Sequence, residues 1–217
     1  MQLFRPSANV FARAVLITGA IFPFAAIGVT YGVMNSAYVT GQNIVRAQPV
    51  PFSHKHHYAG LGIHCLYCHT GVEKSPFAGL PATQICMSCH SQIWTNAAML
   101  APVRQSLATS KPIRWNRVHV VPAYVYFDHS VHVAKGVGCS TCHGRIDQMA
   151  LTSQAAPLTM GWCVNCHSNP APNLRPHDQI FNMAWEPPPD QERAGAELLK
   201  ANRIDPNRLI ECSTCHR

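Results

Sequence analysis

Cysteine spacing constrains this chain more than any other feature. All ten cysteines of the 217 residues fall into C-x-x-C pairs: Cys65/Cys68, Cys86/Cys89, Cys139/Cys142, Cys163/Cys166 and Cys212/Cys215. Histidine follows every pair, as His69, His90, His143, His167 and His216. The motifs read CLYCH, CMSCH, CSTCH, CVNCH and CSTCH, and no cysteine is left over.

C-x-x-C-H is the attachment signature of c-type haem. Two thiols add across the two vinyl groups on one edge of a porphyrin, and the adjacent histidine supplies the proximal nitrogen to iron. A zinc ribbon uses C-x-x-C pairs but has no need of histidine after each one. A disulfide framework would not confine every cysteine to this spacing. A thioredoxin-like centre needs one such pair in a βαβ setting, not five in loop-rich sequence. The motifs therefore predict five covalently bound c-type haems, and with them an extracytoplasmic compartment, because c-type maturation takes place outside the cytoplasmic membrane.

The formal charge of +7 fits that reading. Lysine and arginine are scattered singly, which argues against a nucleic-acid surface and for balance against something acidic held within. Two propionates and one ferric centre per haem bring about −5 in total when oxidised and about −10 when reduced.

An internal repeat organises the ligands. FSHKHHYAGLGIHCLYCH from Phe52 and FDHSVHVAKGVGCSTCH from Phe127 both read F-x-H-x-x-H followed by C-x-x-C-H, and a second C-x-x-C-H follows each. The copies cover 52–90 and 127–167, and the fifth motif, 212–216, stands outside them. Histidines at i and i+3 share a helical face. His54, His57, His129 and His132 are thus expected as distal iron ligands. His56 is expected to face solvent or a propionate. His64 has Gly138 as its repeat counterpart and is assigned a local role. For the fifth iron the first candidate is His119 in RVHVVPAY and the second is Met149 in GRIDQMAL, with Met99, Met160 and His177 behind them.

Residues Ala14 to Met34 form an uncharged stretch of 21 residues, long enough to cross a bilayer. Arg5 and Arg13 precede it, so the positive-inside rule keeps the amino terminus cytoplasmic. A cleaved signal peptide would carry a shorter apolar region. The expected organisation is a stub and single transmembrane anchor over 1–41, spanning about 14–34, and an extracytoplasmic haem domain over 42–217. Seventeen prolines and thirteen glycines predict short helices and many loops wrapped around the porphyrins. Helices are expected from about Met87 to Leu107, broken near Pro102, and within QERAGAELLKANR; VHVVPAYVYF reads as a short extended piece.

These motifs, taken in order, resemble one family. A single amino-terminal span, PFSHKHH with GIHCLYCHTGVEKS, CMSCHSQIWTNAAML, RVHVVPAYVYFDHSVH with KGVGCSTCHGRIDQM, and WCVNCH are similar to the pentahaem cytochrome c subunit of alternative complex III. The resemblance implies a multihaem cytochrome c fold and an electron-transfer role in a membrane complex that oxidises quinol. Its implied partners are an iron–sulfur subunit, polytopic quinol-binding subunits, a monohaem cytochrome c subunit, a soluble electron acceptor and the lipid bilayer, with no nucleic acid and no catalytic residue in this chain. A small acidic residue is expected in relatives where His64 stands. A self-contained membrane-anchored quinol dehydrogenase is the alternative; it needs a first haem close to the bilayer, yet about thirty residues separate Met34 from Cys65. A multihaem reductase, for example of nitrite, would need an iron with an open position.

Overall fold

The computed structural model describes residues 5–216 and divides into two units, Met1–Gly41 and Gln42–Arg217. The first unit is built on α1 (Pro6–Met34), with proline in its first turn, where the missing N–H is no loss. The span Ser7–Met34 is largely apolar, its most apolar part reaching a mean hydropathy of 2.0 with none of that part buried by protein. It is compatible with a single-pass anchor: 29 residues rise about 43 Å, more than the ~30 Å hydrocarbon core. Asn35 Nδ2 donates to the Tyr31 carbonyl and Ser36 Oγ to that of Val33, closing the helix end. The short α2 (Ala37–Thr40) stops at Gly41, whose φ of 71° suits glycine.

The second unit is a chain of short helices joined by loops. In order these are α3 (Cys65–Cys68), α4 (Thr83–His90), α5 (Ala101–Thr109), α6 (His129–Ala134), α7 (Cys139–His143), α8 (Met160–Ser168), α9 (Gln191–Ala201), α10 (Pro206–Leu209) and α11 (Cys212–Cys215). A π-helical turn covers Lys55–Gly60. Among the described residues β pairing is limited to isolated bridges, such as Val137 with Leu174. The mostly helical, loop-rich character and the single apolar amino-terminal helix agree with the sequence.

One expected helix is corrected. Met87 to Leu107 is not a helix broken at Pro102; α4 ends at His90, and Pro102 lies in the first turn of α5. Trp94, at φ 55°, turns the chain between them. Proline here starts a helix because the first turn lacks intrahelical acceptors for its N–H groups. The extended reading of VHVVPAYVYF is also too regular, since Val125 N–H closes a turn on the Pro122 carbonyl.

Peptide alone forms little core. Only ten apolar residues are buried among the described ones, in small separate groups. Val50, Leu100 and Val103 pack with Met87, Ile113 and Trp115. Val72, Val133 and Ile180 pack with Leu66, Ala78 and Phe181. A unit of this length ordinarily buries a much larger continuous interior.

Candidate haem-binding site

Each C-x-x-C pair lies on a helical turn: α3, α4, α7, α8 and α11. Positions i and i+3 of a turn share a face, so both thiols of each pair point the same way. All ten thiols are free. Burial pushes the Cys139 thiol up to about 11 and the Cys142 thiol up to about 12, so neither is a thiolate at neutral pH. Among the described residues, no three or more His, Cys, Asp or Glu side chains gather closely enough to hold a bare metal ion.

The histidines are arranged in facing pairs. Ring centroids of His54 and His69 are 6.5 Å apart, His57 and His90 6.3 Å, His129 and His143 6.4 Å, and His132 and His167 6.1 Å. Two imidazoles bound to one metal at about 2 Å each would hold their centroids about 6 Å apart. Every pair therefore matches the separation a shared iron imposes, and each joins an F-x-H-x-x-H histidine to a C-x-x-C-H histidine. The repeat is reproduced in detail. Phe52 stacks on His57 at 4.3 Å and meets His54 edge-on; Phe127 stacks on His132 at 4.6 Å and meets His129 edge-on.

Hydrogen bonds fix which nitrogen faces the gap. Nδ1 of His69, His90, His167 and His216 lies 2.8, 3.3, 3.1 and 3.1 Å from the carbonyls of Gly79, Ile93, Leu209 and Tyr124. Nδ1 of His57, His129 and His132 lies 2.8, 2.7 and 2.7 Å from the carbonyls of Ser53, Pro76 and Asp128. A carbonyl only accepts, so these rings carry their proton on Nδ1 and leave the Nε2 lone pair free. His54 Nδ1 pairs with Thr152 Oγ1 at 3.0 Å. Burial, with neighbouring imidazoles adding to it, lowers His54 to about 4 and His143 to about 3, so both are neutral at pH 7 and able to ligate a metal.

The two copies interlock. His54 of the first is held by Thr152, between the two motifs of the second; His129 of the second is held by Pro76, between the two motifs of the first. Burial is the main cause of the raised pKa of Cys139, Cys68, Cys142 and Cys163, and the nearby thiols of Cys65, Cys86, Cys166 and Cys215, respectively, add to it. The first turn thus has the second and third as neighbours, the third has the fourth, and the fourth has the fifth.

No protein-family model matches the chain. Over 99 residues it is 35% identical to the menaquinone reductase, multihaem cytochrome c subunit, of Nitratidesulfovibrio vulgaris, covering 45% of this chain and 46% of that one. The likeness is to a multihaem cytochrome c. The chain spans about half the length of the curated relative it matches.

The remaining candidates fall elsewhere. His119 lies against His143, with its Nε2 3.2 Å from His143 Nδ1. Met149 lies beside the first F-x-H-x-x-H segment, where its carbonyl accepts from Lys55 N–H. His216 has Tyr124 as its ring neighbour, at 5.7 Å. His64 caps α3 by accepting from Leu66 N–H and packs edge-on to Phe181, and His56 stacks near Trp94.

Sequence reasoning overlooked Arg175. It is 3% exposed, donates to Ser140 Oγ, Thr141 Oγ1 and the Asn182 carbonyl, and lies 4.3 Å over the Trp185 ring. Gly138 makes room for it, because a Cβ there would stand 2.1 Å from Arg175 Cζ. The signal was the bare glycine directly before the third motif.

Proposed function

We propose that this chain is an electron-transfer subunit of a membrane quinone-linked complex, carrying five c-type haems in its 42–217 unit. The observation that carries the reading is the set of four imidazole pairs at 6.1–6.5 Å beside C-x-x-C turns. Cys65, Cys68, Cys86, Cys89, Cys139, Cys142, Cys163, Cys166, Cys212 and Cys215 anchor the porphyrins. His69, His90, His143, His167 and His216 are the proximal ligands, and His54, His57, His129 and His132 are the distal ones. Haem iron supplies one-electron chemistry when bound. The paired histidines would hold the iron, and a backbone carbonyl or side-chain acceptor fixes the imidazoles through Nδ1–H. Rigid two-sided ligation suits transfer, because coordination changes little on reduction. The neighbouring thiols of successive turns support a haem path that runs second, first, third, fourth, fifth.

By resemblance the complex is alternative complex III. Quinol is then oxidised in neighbouring polytopic subunits, and electrons arrive through an iron–sulfur subunit and leave toward a monohaem cytochrome c or a soluble acceptor. The amino terminus stays inside and the haem unit lies on the extracytoplasmic face. The name of the Nitratidesulfovibrio relative favours a second reading, in which electrons run the other way and reduce menaquinone.

Intact-mass spectrometry of the purified protein, with low-temperature electron paramagnetic resonance, tests the assignment. The expected mass exceeds the 23.9 kDa polypeptide by five haems, and the spectrum is dominated by low-spin ferric signals. A mass equal to the bare polypeptide rejects the reading. Feeding electrons from a menaquinol analogue, and in a second arm from a reduced low-potential donor, separates the two directions.

A further inference from the structure

We propose that His119 is a positioning residue for the third haem, acting through His143 and setting that iron apart from the others. The inference rests on the reading above, that His143 ligates haem iron through Nε2. It arises from one difference among five similar sites. His69, His90, His167 and His216 each direct Nδ1 at a backbone carbonyl. His143 alone directs Nδ1 at another side chain, the His119 Nε2 at 3.2 Å, with the rings near perpendicular at 74°.

The chemistry of that contact is determined by valence. With His143 Nε2 on iron, its Nδ1 carries the proton and must donate. His119 Nε2 therefore accepts, and the His119 proton sits on Nδ1. An imidazole nitrogen is a more basic acceptor than an amide carbonyl. It draws the Nδ1–H more strongly and gives His143 more anionic character, which raises ligand basicity. The ferric state, carrying one more positive charge, gains most from this. His119 thus holds the third haem at a lower potential than a carbonyl acceptor would. The site is the middle one of the path described above, flanked by the first and fourth. A low step there governs passage between the two halves of the wire.

The test is a spectroelectrochemical titration of the membrane-extracted holoprotein, wild type against His119→Phe and His119→Gln. Phenylalanine keeps a ring in place and removes the acceptor; glutamine supplies a carbonyl like those at the other sites. One midpoint is expected to move upward in His119→Phe, with the low-spin signals unchanged in number. His119→Gln is expected to place the same midpoint between wild type and His119→Phe. Unmoved midpoints in either variant that assembles overturn the proposal. So does a new high-spin signal, which would make His119 an iron ligand itself. Failure of the underlying haem assignment is read separately, in the wild-type mass, before any variant is made.

Discussion

The two copies of the repeat agree wherever they face the gap between paired histidines and differ wherever the chain closes around it. In both, a phenylalanine stacks on the second histidine and edges the first, and the facing centroids stand 6.1–6.5 Å apart. Behind that surface they diverge. In the first copy His54 precedes and His57 lies on a π-helical turn, where the neutral Ser53 Oγ accepts from His56 N–H. The second uses α6, capped by Asp128, which accepts from Ser130 and Val131 N–H. The first places His64 before its motif; the second places Gly138 there, with Arg175 buried against it. Ligand geometry tolerates one solution, while the surrounding scaffold has been solved twice.

The largest effect expected from this comparison comes from the thiols. Removing Cys139 and Cys142 together, at the half-buried turn beside the first motif, should abolish accumulation of holoprotein. Removing the Cys212 and Cys215 pair at the edge should give an intact protein one haem lighter. Haem-stained yield and mass report both, and equal losses would dissolve the distinction between junction and edge.

Next in size is loss of a single facing imidazole. His54→Ala and His129→Ala should each convert one low-spin signal to high-spin while the remaining signals persist. If only one of the two changes the spectrum, the copies are not equivalent at iron.

Smaller effects belong to the scaffold. Gly138→Ala should lower stability by about 1–3 kcal/mol, because the added methyl displaces a buried guanidinium from its hydrogen bonds. His64→Gly, the same exchange read from the first copy, should cost no more than a few tenths from capping, plus the loss of the packing on Phe181. Paired melting temperatures decide whether the two positions are this unequal.

At a surface cap, Asp128→Ala should cost about 1 kcal/mol for a lost helix cap. Hydrogen bonds from Ser130 and Val131 hold the Asp128 carboxyl below the usual carboxylate range. Its folded pKa is depressed, so its contribution is complete above the ordinary value of about 4 and fades as pH falls through the folded value. Acid titration of stability in wild type and Asp128→Ala should therefore converge at low pH. Ser53 stands at the corresponding place in the first copy and gives that copy no such dependence.

The sequence carried the paired thiols and facing histidines well, because a two-sided site demands side chains of one kind at a fixed spacing. C-x-x-C-H and F-x-H-x-x-H are such demands, and the apolar run of α1 is another. It carried the outer contacts poorly. The Nδ1 acceptors at Gly79, Ile93, Pro76, Tyr124 and Leu209 are backbone carbonyls, which any residue type supplies. His119 reads from residue type alone as a spare ligand, and only its contact with His143 Nδ1 points to the positioning role proposed above. Pro102 was read as a breaker when its position made it an initiator. Arg175 had no motif at all, only a vacancy opposite it at Gly138.

The exchange of supports between copies bears on biogenesis. His54 waits for Thr152, which lies 98 residues further along, while His129 reaches back 53 residues to Pro76. A chain emerging amino terminus first therefore cannot complete the His54 contact until Thr152 has been made. Ribosomal order and closure order run against each other, so the first copy stays open at this point while the second is being made.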